Sequence, residues 1–388
     1  MDLTFTKKNI IAFILAFLVV ITLQPYFVWA NTKYANIFAG IVMLVISLSI
    51  AKLTIYNVRI SIFFVICNLY YFFGGTQYTT FSPIFFLPLF FLLLPNDYKL
   101  VIFKKFIDII SIIFALGLIT YSLRFFINLP SINIPPLNPL KAYTYNIYLF
   151  DITIPQTILP RFMSLFDEPG VVGTLCALLI SYKKIALNSF NNIIILLAGI
   201  FSFSLAFYVI LILNLLYNIN KNYSIVFILV LLLFSILPKD SIFYTQMVDR
   251  LEFVDGGFAG DNRMNKTFAM NSNSFINNGG KDLFFGRGMG SEKFDDINNQ
   301  GSSTYKVLVY RHGLIGVGLF LLFFIYITWL LAPSIRGGFY LTVFVLLLYQ
   351  RINLFLYYNI VVYVGGLLMI TYNDSILKRT SLSLRDYK

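Results

Sequence analysis

Apolar runs about twenty residues long alternate with short polar turns along most of the 388-residue chain. A helix needs about 20 mostly apolar residues to cross a bilayer, and lipid offers no partner for an open backbone, so we expect helices here. No segment alternates in the manner of a barrel strand. The pattern predicts about twelve transmembrane helices, near 9–29, 35–54, 59–75, 81–95, 106–127, 168–186, 190–203, 204–219, 223–238, 306–331, 337–350 and 356–373.

Two of these segments admit an alternative. Lys7 and Lys8 precede the first apolar run, and VWA at 28–30 resembles a signal-peptidase site. Because many spans follow, we interpret the run as a first transmembrane helix. The segments 190–203 and 204–219 could form one long helix, but FSFS at 201–204 favours a break between two short ones.

Composition agrees with a membrane protein. The chain is 59% hydrophobic and 12% charged, against about 25% charged in soluble domains. Its net charge of +12 comes from basic residues scattered between apolar runs, which is typical of topology-setting loops and argues against nucleic acid as a partner. With one histidine, and with Cys67 and Cys176 inside apolar runs, we predict neither a metal site nor a cofactor. The fold class is therefore an all-α polytopic membrane protein, with residues 1–388 as one integral membrane domain.

The distribution of basic residues predicts the orientation. The predicted inner turns contain the pairs Lys104–Lys105 and Lys183–Lys184, whereas the short outer turns contain only Lys33 and Arg351. Cytoplasmic loops carry an excess of Lys and Arg, so both termini are expected in the cytoplasm.

Two long segments interrupt the rhythm of spans and short turns. Residues 128–167 are rich in proline and aromatic residues, and residues 239–305 form the long hydrophilic stretch. Both fall on the outer face in this topology. The second contains a candidate amphipathic helix at 241–254 and a polar run at 261–278 that could be helical. Long ordered loops usually carry function, so we expect both loops to converge over one polar cleft.

Three charges stand where the first loop re-enters the membrane, in the sequence RFMSLFDEPG. Pro169 suits the first turn of a helix, and Asp167 or Glu168 would then lie at its positive end. One interpretation is a helix cap with an ion pair to Arg161. The other is a carboxylate that serves as a base or polar anchor, since carboxylates at membrane depth are costly.

The outer loops also contain arginines, which bind phosphate in bidentate fashion and stay charged. Some could simply pair with nearby acids. As a set they favour an anionic lipid substrate, and the candidates in the second loop and at the next span are Arg250, Arg263, Arg287 and Arg311.

The stretch GRGMGS at 286–291 lacks the lysine of a nucleotide-binding loop, and we interpret it as a tight turn that lets the loop fold over a pocket. His312 follows at the top of a span, where a hydrogen-bonded interfacial histidine is the alternative to a catalyst. Gly313, Gly316 and Gly318 have the spacing of close helix packing.

These features together resemble the Wzy-type O-antigen polymerases. Arg161 followed by LFDEPGVVG resembles the family's R…F.EP..G signature, and FSFS lies where the family has a Ser-rich break. Arg263 with Gly286–Gly288 resembles the R…G.G pattern of the large periplasmic loop, and GLIG at 313–316 resembles the GxxG of the next span.

Related O-antigen ligases carry a His-Asn pair shortly before that GxxG. This chain has Ser302 and Ser303 there, with Tyr305 in the following aromatic place, which favours a polymerase over a ligase.

The resemblance implies a GT-C-like fold and a metal-independent glycosyltransferase on the periplasmic face of the bacterial inner membrane. Its partners would be the bilayer, undecaprenyl-diphosphate-linked glycans and a chain-length regulator protein. The product would be O-antigen or capsular-type polysaccharide. We assign Glu168 to accept the proton of the incoming hydroxyl or to orient that hydroxyl. The diphosphate clamp would comprise Arg161, Arg263, Arg287 and Arg311, and further binding candidates are Arg250, Asp167, Tyr305 and His312.

Two other classes compete with this hypothesis. A flippase for lipid-linked oligosaccharides would also have about twelve helices, but it would not need a long hydrophilic loop on one face. An ion-coupled transporter would require charges in the middle of its spans, and here the span centres are nearly free of charge.

Overall fold

The fold is mostly helical, as expected for an all-α membrane protein. It is known from a computed structural model, which describes residues 3–76, 82–135, 144–154, 160–183, 189–218, 244, 253–254, 257–258, 266–291, 305–348 and 354–385.

The elements follow in this order. The helices are α1 Leu3–Thr22, α2 Thr32–Ile50, α3 Ile55–Phe73, α4 Leu87–Leu92, α5 Asn96–Leu123, α6 Pro169–Ser181, α7 Phe190–Phe201, α8 Leu205–Tyr217, α9 Lys266–Asn278, α10 Gly280–Phe285, α11 Tyr305–Leu331, α12 Ile335–Leu348 and α13 Tyr357–Arg385. Short 3₁₀ helices cover Tyr26–Asn31 and Pro83–Phe86, and the strands are β1 Ile132–Ile134, β2 Tyr145–Tyr148, β3 Asp151–Thr153, β4 Phe253–Val254 and β5 Gly257–Phe258.

Several helices have the length and composition of membrane spans. Within the described residues these are Tyr26–Ile50, Ile55–Phe73, Asn96–Leu123 and Tyr305–Leu331. Helices α6, α7, α8 and α12 are apolar but shorter. A membrane-embedded protein follows from these helices, whereas the count of twelve spans and the GT-C-like fold stay predictions. The span expected at 223–238 and the amphipathic helix expected at 241–254 fall largely outside the described residues.

The span expected at 81–95 is wrong. That region contains the 3₁₀ helix Pro83–Phe86 and the six-residue α4. Six residues rise only about 9 Å, far less than the roughly 30 Å of a bilayer core. The next helix, α5, begins at Asn96 and so includes basic residues that we expected in a turn. One of them, Lys99, is buried, and its Nζ donates to the side-chain oxygens of Asn57 and Asn96 at 3.0 and 3.3 Å.

The chain forms two compact units. Unit 1 comprises Met1–Thr22, Thr32–Phe106 and Arg263–Lys388, and unit 2 comprises Leu23–Asn31 and Ile107–Asn262. Helix α5 begins in unit 1 and continues into unit 2.

An aromatic core holds unit 1 together. Phe355 packs edge-on against Phe64, Tyr71 and Phe320, which brings α3 and α11 to the segment that leads into α13. Elsewhere in this unit Tyr363 of α13 packs against Phe324 and shares a short hydrogen bond with Thr328. Packing of large rings leaves little free volume, which explains why small residues stand at the closest helix approaches.

Unit 2 combines three short helices with a small sheet. Strands β1, β2 and β3 form an antiparallel sheet in which Ile132 pairs with Ile147 and Ile147 pairs with Ile152. The inner face contributes Tyr145, Ile147 and Ile152 to a core with Trp29 and Met163. We did not predict this sheet in the 128–167 loop, because strands of three or four residues are too short to show an alternating pattern.

We predict that Gly365→Ala destabilises unit 1. A Cβ at Gly365 would lie 2.3 Å from Cγ of Phe103 on α5, so the ring and helix must shift. We expect a loss of about 1–3 kcal/mol, seen as a lower melting temperature in detergent. The matched control is Gly338→Ala in α12, where the new Cβ meets nothing within 4 Å. It should leave the melting temperature unchanged or raise it. Equal effects of the two changes would contradict the packing argument.

Candidate functional site

The segment 160–168, which leads into Pro169 and Gly170, is hydrogen-bonded to its surroundings at several positions. The Tyr121 hydroxyl donates to the Pro160 carbonyl at 2.9 Å, and the Phe162 N–H donates to the Phe201 carbonyl at 2.9 Å. Further along, the N–H of Tyr26 donates to the Leu165 carbonyl at 2.9 Å. These ties prevent the segment from moving as an ordinary loop would.

Arg161 fastens this segment to the break between α7 and α8. Its Nε donates to the Ser202 carbonyl at 2.9 Å and its Nη2 donates to the Phe203 carbonyl at 2.8 Å. Phe203 has a left-handed backbone with φ of 45°. The break expected at FSFS is confirmed, since α7 ends at Phe201 and α8 begins at Leu205. In this structure Arg161 therefore acts as a positioning residue, and a direct role toward substrate stays a prediction.

Helix α6 lies directly against the same break. A Cβ at Gly173 would be 2.2 Å from Cβ of Ser204 and 2.9 Å from the Ser202 hydroxyl. The backbone of α6 can reach the two serines only because position 173 has no side chain. The Arg161 motif, Gly173 and the FSFS break thus meet at one place in unit 2.

A buried charge pair supports the segment from the sheet side. The Asp151 carboxylate lies 3.1 Å from Nη1 of Arg124, and its Oδ1 accepts from the Ser164 N–H at 3.2 Å. The Arg124 guanidinium also lies 4.5 Å from the centre of the Tyr121 ring. Burial raises the pKa of the Asp151 carboxyl to about 7, although Arg124 and the N–H of Ser164 favour the ionised form. Sequence reasoning missed this pairing, because nothing local links Asp151 to Arg124.

Glu168 stands at the N-terminus of α6. It occupies the N-cap position with an extended backbone, and Pro169 takes the first helical position as expected. Its side chain is exposed and does not hydrogen-bond to the first turn, so simple capping does not explain it. Asp167 before it is partly buried, and its carbonyl accepts from the Tyr145 hydroxyl at 2.8 Å. The Glu168 carboxylate is thus presented to solvent from a fixed backbone, where the helix N-terminus favours an anion.

Unit 1 contains a second candidate site, built on the glycine-rich turn. Gly286, Gly288 and Gly290 all have positive φ, as a tight turn requires. The N–H groups of Arg287 and Gly288 donate to the carbonyls of Tyr310 and Arg311 at 2.9 and 2.8 Å. The expectation of a tight turn at 286–291 is confirmed, and so is the helix expected within 261–278, as α9.

Helix α11, whose carbonyls accept these hydrogen bonds, is kinked. Inside α11 Gly313 has φ of 64° and ψ of 179°, and a Cβ there would lie 2.2 Å from the Phe284 carbonyl oxygen. A side chain at Gly313 would therefore displace the end of α10. Gly313, which begins the GLIG motif, therefore serves close contact between the loop and the span, rather than helix–helix packing alone.

Arg287 is held by three groups. Its Nε lies 3.2 Å from Oδ2 of Asp282, its Nη1 donates to the Tyr310 hydroxyl at 2.7 Å, and its guanidinium stacks 5.3 Å from the Phe275 ring centre. Asp282 in turn accepts from the Thr76 hydroxyl at 2.8 Å. The charge of Arg287 is therefore compensated by a carboxylate.

The remaining predicted residues have diverse surroundings. His312 is 1% exposed, its ring stacks 4.4 Å from that of Tyr71, and its Nε2 has no hydrogen-bond partner among the described residues. A direct contact between this imidazole and substrate does not fit that burial. Arg311 is also buried, whereas Tyr305 is exposed. Arg250 and Arg263 lie outside the described residues.

An open polar pocket of about 270 Å³ adjoins Arg287. Its lining includes Asn271, Ser274 and Asn278 of α9, none of which we predicted as site residues. Their signal in the sequence was the polar face of the run KTFAMNSNSFINN, where these three positions recur at helical spacing.

Comparisons of the chain with models of known protein families, with curated proteins and with solved structures found no match.

We predict that unit 2 loses stability as the pH rises through about 7 because of Asp151. The folded protein holds this proton more tightly than the unfolded chain does, where the pKa is 3.8. Its stabilising contribution is complete below that value and is lost as the pH passes the folded pKa. Thermal unfolding followed by Trp29 fluorescence, in a Trp329→Phe background, should show this fall.

Asp151→Asn should flatten the slope of thermal stability against pH, because the amide does not titrate. The control Asp97→Asn removes an exposed carboxylate of unit 1 and should preserve it. A slope that survives in the Asp151 variant would contradict the assignment.

Proposed function

We propose that the chain is a membrane glycosyltransferase that polymerises lipid-linked oligosaccharide repeat units, as in the Wzy-type O-antigen polymerases it resembles. The substrates would be glycans carried on undecaprenyl diphosphate at the periplasmic face of a bacterial inner membrane. The several apolar helices support a membrane-embedded protein, and the proposed step is written without a metal or cofactor.

The observation that carries this proposal is the meeting of the motif residues in unit 2. Arg161, the Glu168–Gly173 stretch and the Ser202–Ser204 break are separated along the chain, yet Arg161 donates to the break and α6 packs against it. These are three of the features on which the resemblance depends. Their contact supports the proposal, because the resemblance treats them as parts of one site.

The geometry suits acid–base chemistry at Glu168. The hydroxyl at the non-reducing end of one glycan attacks the anomeric carbon of the other, and the bond from that carbon to the diphosphate oxygen breaks. The Glu168 carboxylate accepts the proton that the hydroxyl loses, and the leaving undecaprenyl diphosphate takes the electron pair. A carboxylate fixed at a helix N-terminus is pre-positioned for this step.

The leaving diphosphate requires positive charge. Arg161 donates to backbone carbonyls and Arg287 pairs with Asp282, so neither guanidinium is reserved for binding a diphosphate. The resemblance leaves Arg250 and Arg263 as candidates for this charge, and both lie outside the described residues. We propose that Asp167 orients the acceptor glycan near Glu168.

We predict that Glu168→Gln reduces polymer formation at least 100-fold, since general-base catalysis contributes roughly that much. The assay uses purified protein in proteoliposomes, a lipid-linked repeat unit, and a metal chelator throughout. Glu168→Asp keeps the charge with a shorter reach and should fall between the wild type and the glutamine variant. Asp97→Asn, which removes another exposed carboxylate, should polymerise like the wild type. Full activity of the glutamine variant would end the base assignment.

Glycan analysis of a deletion strain separates a polymerase from a flippase. Loss of a polymerase leaves single repeat units on the lipid carrier or lipid A at the cell surface. An absence of repeat units outside the inner membrane would indicate transport and would contradict the proposal.

A further inference from the structure

The pocket beside Arg287 has the character of a binding site for an uncharged polar molecule. Its wall on α9 presents Asn271, Ser274 and Asn278, which lie on one face of the helix at spacings of three and four residues. The same helix turns Phe268 and Phe275 toward Val307 and Tyr310, which form a buried cluster. The helix is thus anchored on one face and presents amides and a hydroxyl on the other.

The pocket is also lined by the guanidinium of Arg287, whose charge is already compensated by Asp282. Arg287 stacks over Phe275 and Tyr310 at 5.3 and 5.1 Å, and Asp282 lies 3.2 Å from its Nε. Both aromatic rings are almost fully buried, so a ligand would meet the polar groups rather than the ring faces. An anion gains little here because Asp282 opposes it, whereas a neutral hydroxyl can accept from Arg287 and donate to the asparagines.

We propose that this pocket binds one uncharged sugar ring of the glycan, through its hydroxyl or N-acyl groups. The inference rests on the proposed function for its substrate, and it replaces the diphosphate-binding role that we first assigned to Arg287. Asn side chains offer both a donor and an acceptor, which suits groups that themselves do both. The pocket size and its open mouth fit a single ring of a longer chain.

Two measurements on the full-length protein in nanodiscs test the proposal. Saturation-transfer NMR uses methyl glycosides of glucose, galactose, N-acetylglucosamine and N-acetylgalactosamine, with methyl glucuronide and inorganic pyrophosphate as anionic probes. The polymerisation assay separately gives KM and kcat for the lipid-linked repeat unit. The test variant is Asn271→Ala with Asn278→Ala, and the matched control is Asn277→Ala, an exposed asparagine of α9 outside the pocket.

We expect at least one uncharged glycoside to bind the wild type and the control, and to bind the double variant roughly tenfold more weakly. KM for the repeat unit should rise by a similar factor with kcat nearly unchanged, because these residues have no part in the proposed bond-breaking step. Asp282→Asn exposes the charge of Arg287 and should shift preference toward the anionic probes. Thermal unfolding confirms that each variant is folded.

The outcomes separate the two proposals. If the wild type forms no polymer but binds a glycoside through Asn271 and Asn278, the polymerase function fails and the sugar site stands. If polymer forms while the double variant keeps its glycoside binding and its KM, the sugar site is wrong and the function stands. Binding of pyrophosphate in preference to every uncharged glycoside by the wild type would also overturn the sugar site.

Discussion

The candidate site in unit 2 depends on the buried pair between Arg124 and Asp151. The pair joins the end of α5 to β3, and Asp151 also accepts from the Ser164 N–H. Ser164 has φ of 50°, a conformation that a residue with a side chain adopts only when its surroundings enforce it. The Arg124 guanidinium favours the ionised carboxylate while burial favours the protonated form, and in either form an oxygen of Asp151 can accept from the Ser164 N–H. The backbone that presents Glu168 is therefore held by an interaction distant from it in sequence.

The site in unit 1 is held in a different way, by direct contact between backbone segments. Positive φ at Gly286 and Gly313 lets the turn and the span approach closely enough for the N–H groups of 287 and 288 to reach carbonyls of α11. Such contacts tolerate no side chain, whereas the contacts of unit 2 are made by side chains. Both kinds of contact hold loop residues in defined places, which a binding or catalytic site requires.

Features with local causes were predictable from the sequence. Pro169 begins α6, FSFS separates α7 from α8, the glycines of GRGMGS make a turn, and the polar run near 266–278 is helical. Features with tertiary causes were not. The strands near Tyr145 are too short to show an alternating pattern of apolar and polar residues in the sequence. Hydropathy alone could not reveal that α4 is too short to span a bilayer. The expected convergence of both loops over one cleft stays a prediction.

The arginines show why residue type alone is not enough to assign chemistry. A guanidinium suits phosphate, but it suits a carbonyl or carboxylate in the fold equally well, and a buried cation must find such a partner. Arg161 finds the carbonyls of Ser202 and Phe203, and Arg287 finds Asp282. Glu168 differs because its side chain is exposed at a helix N-terminus while its backbone is fixed. Exposure on a fixed backbone, rather than charge alone, is therefore the observation that supports the role proposed for Glu168.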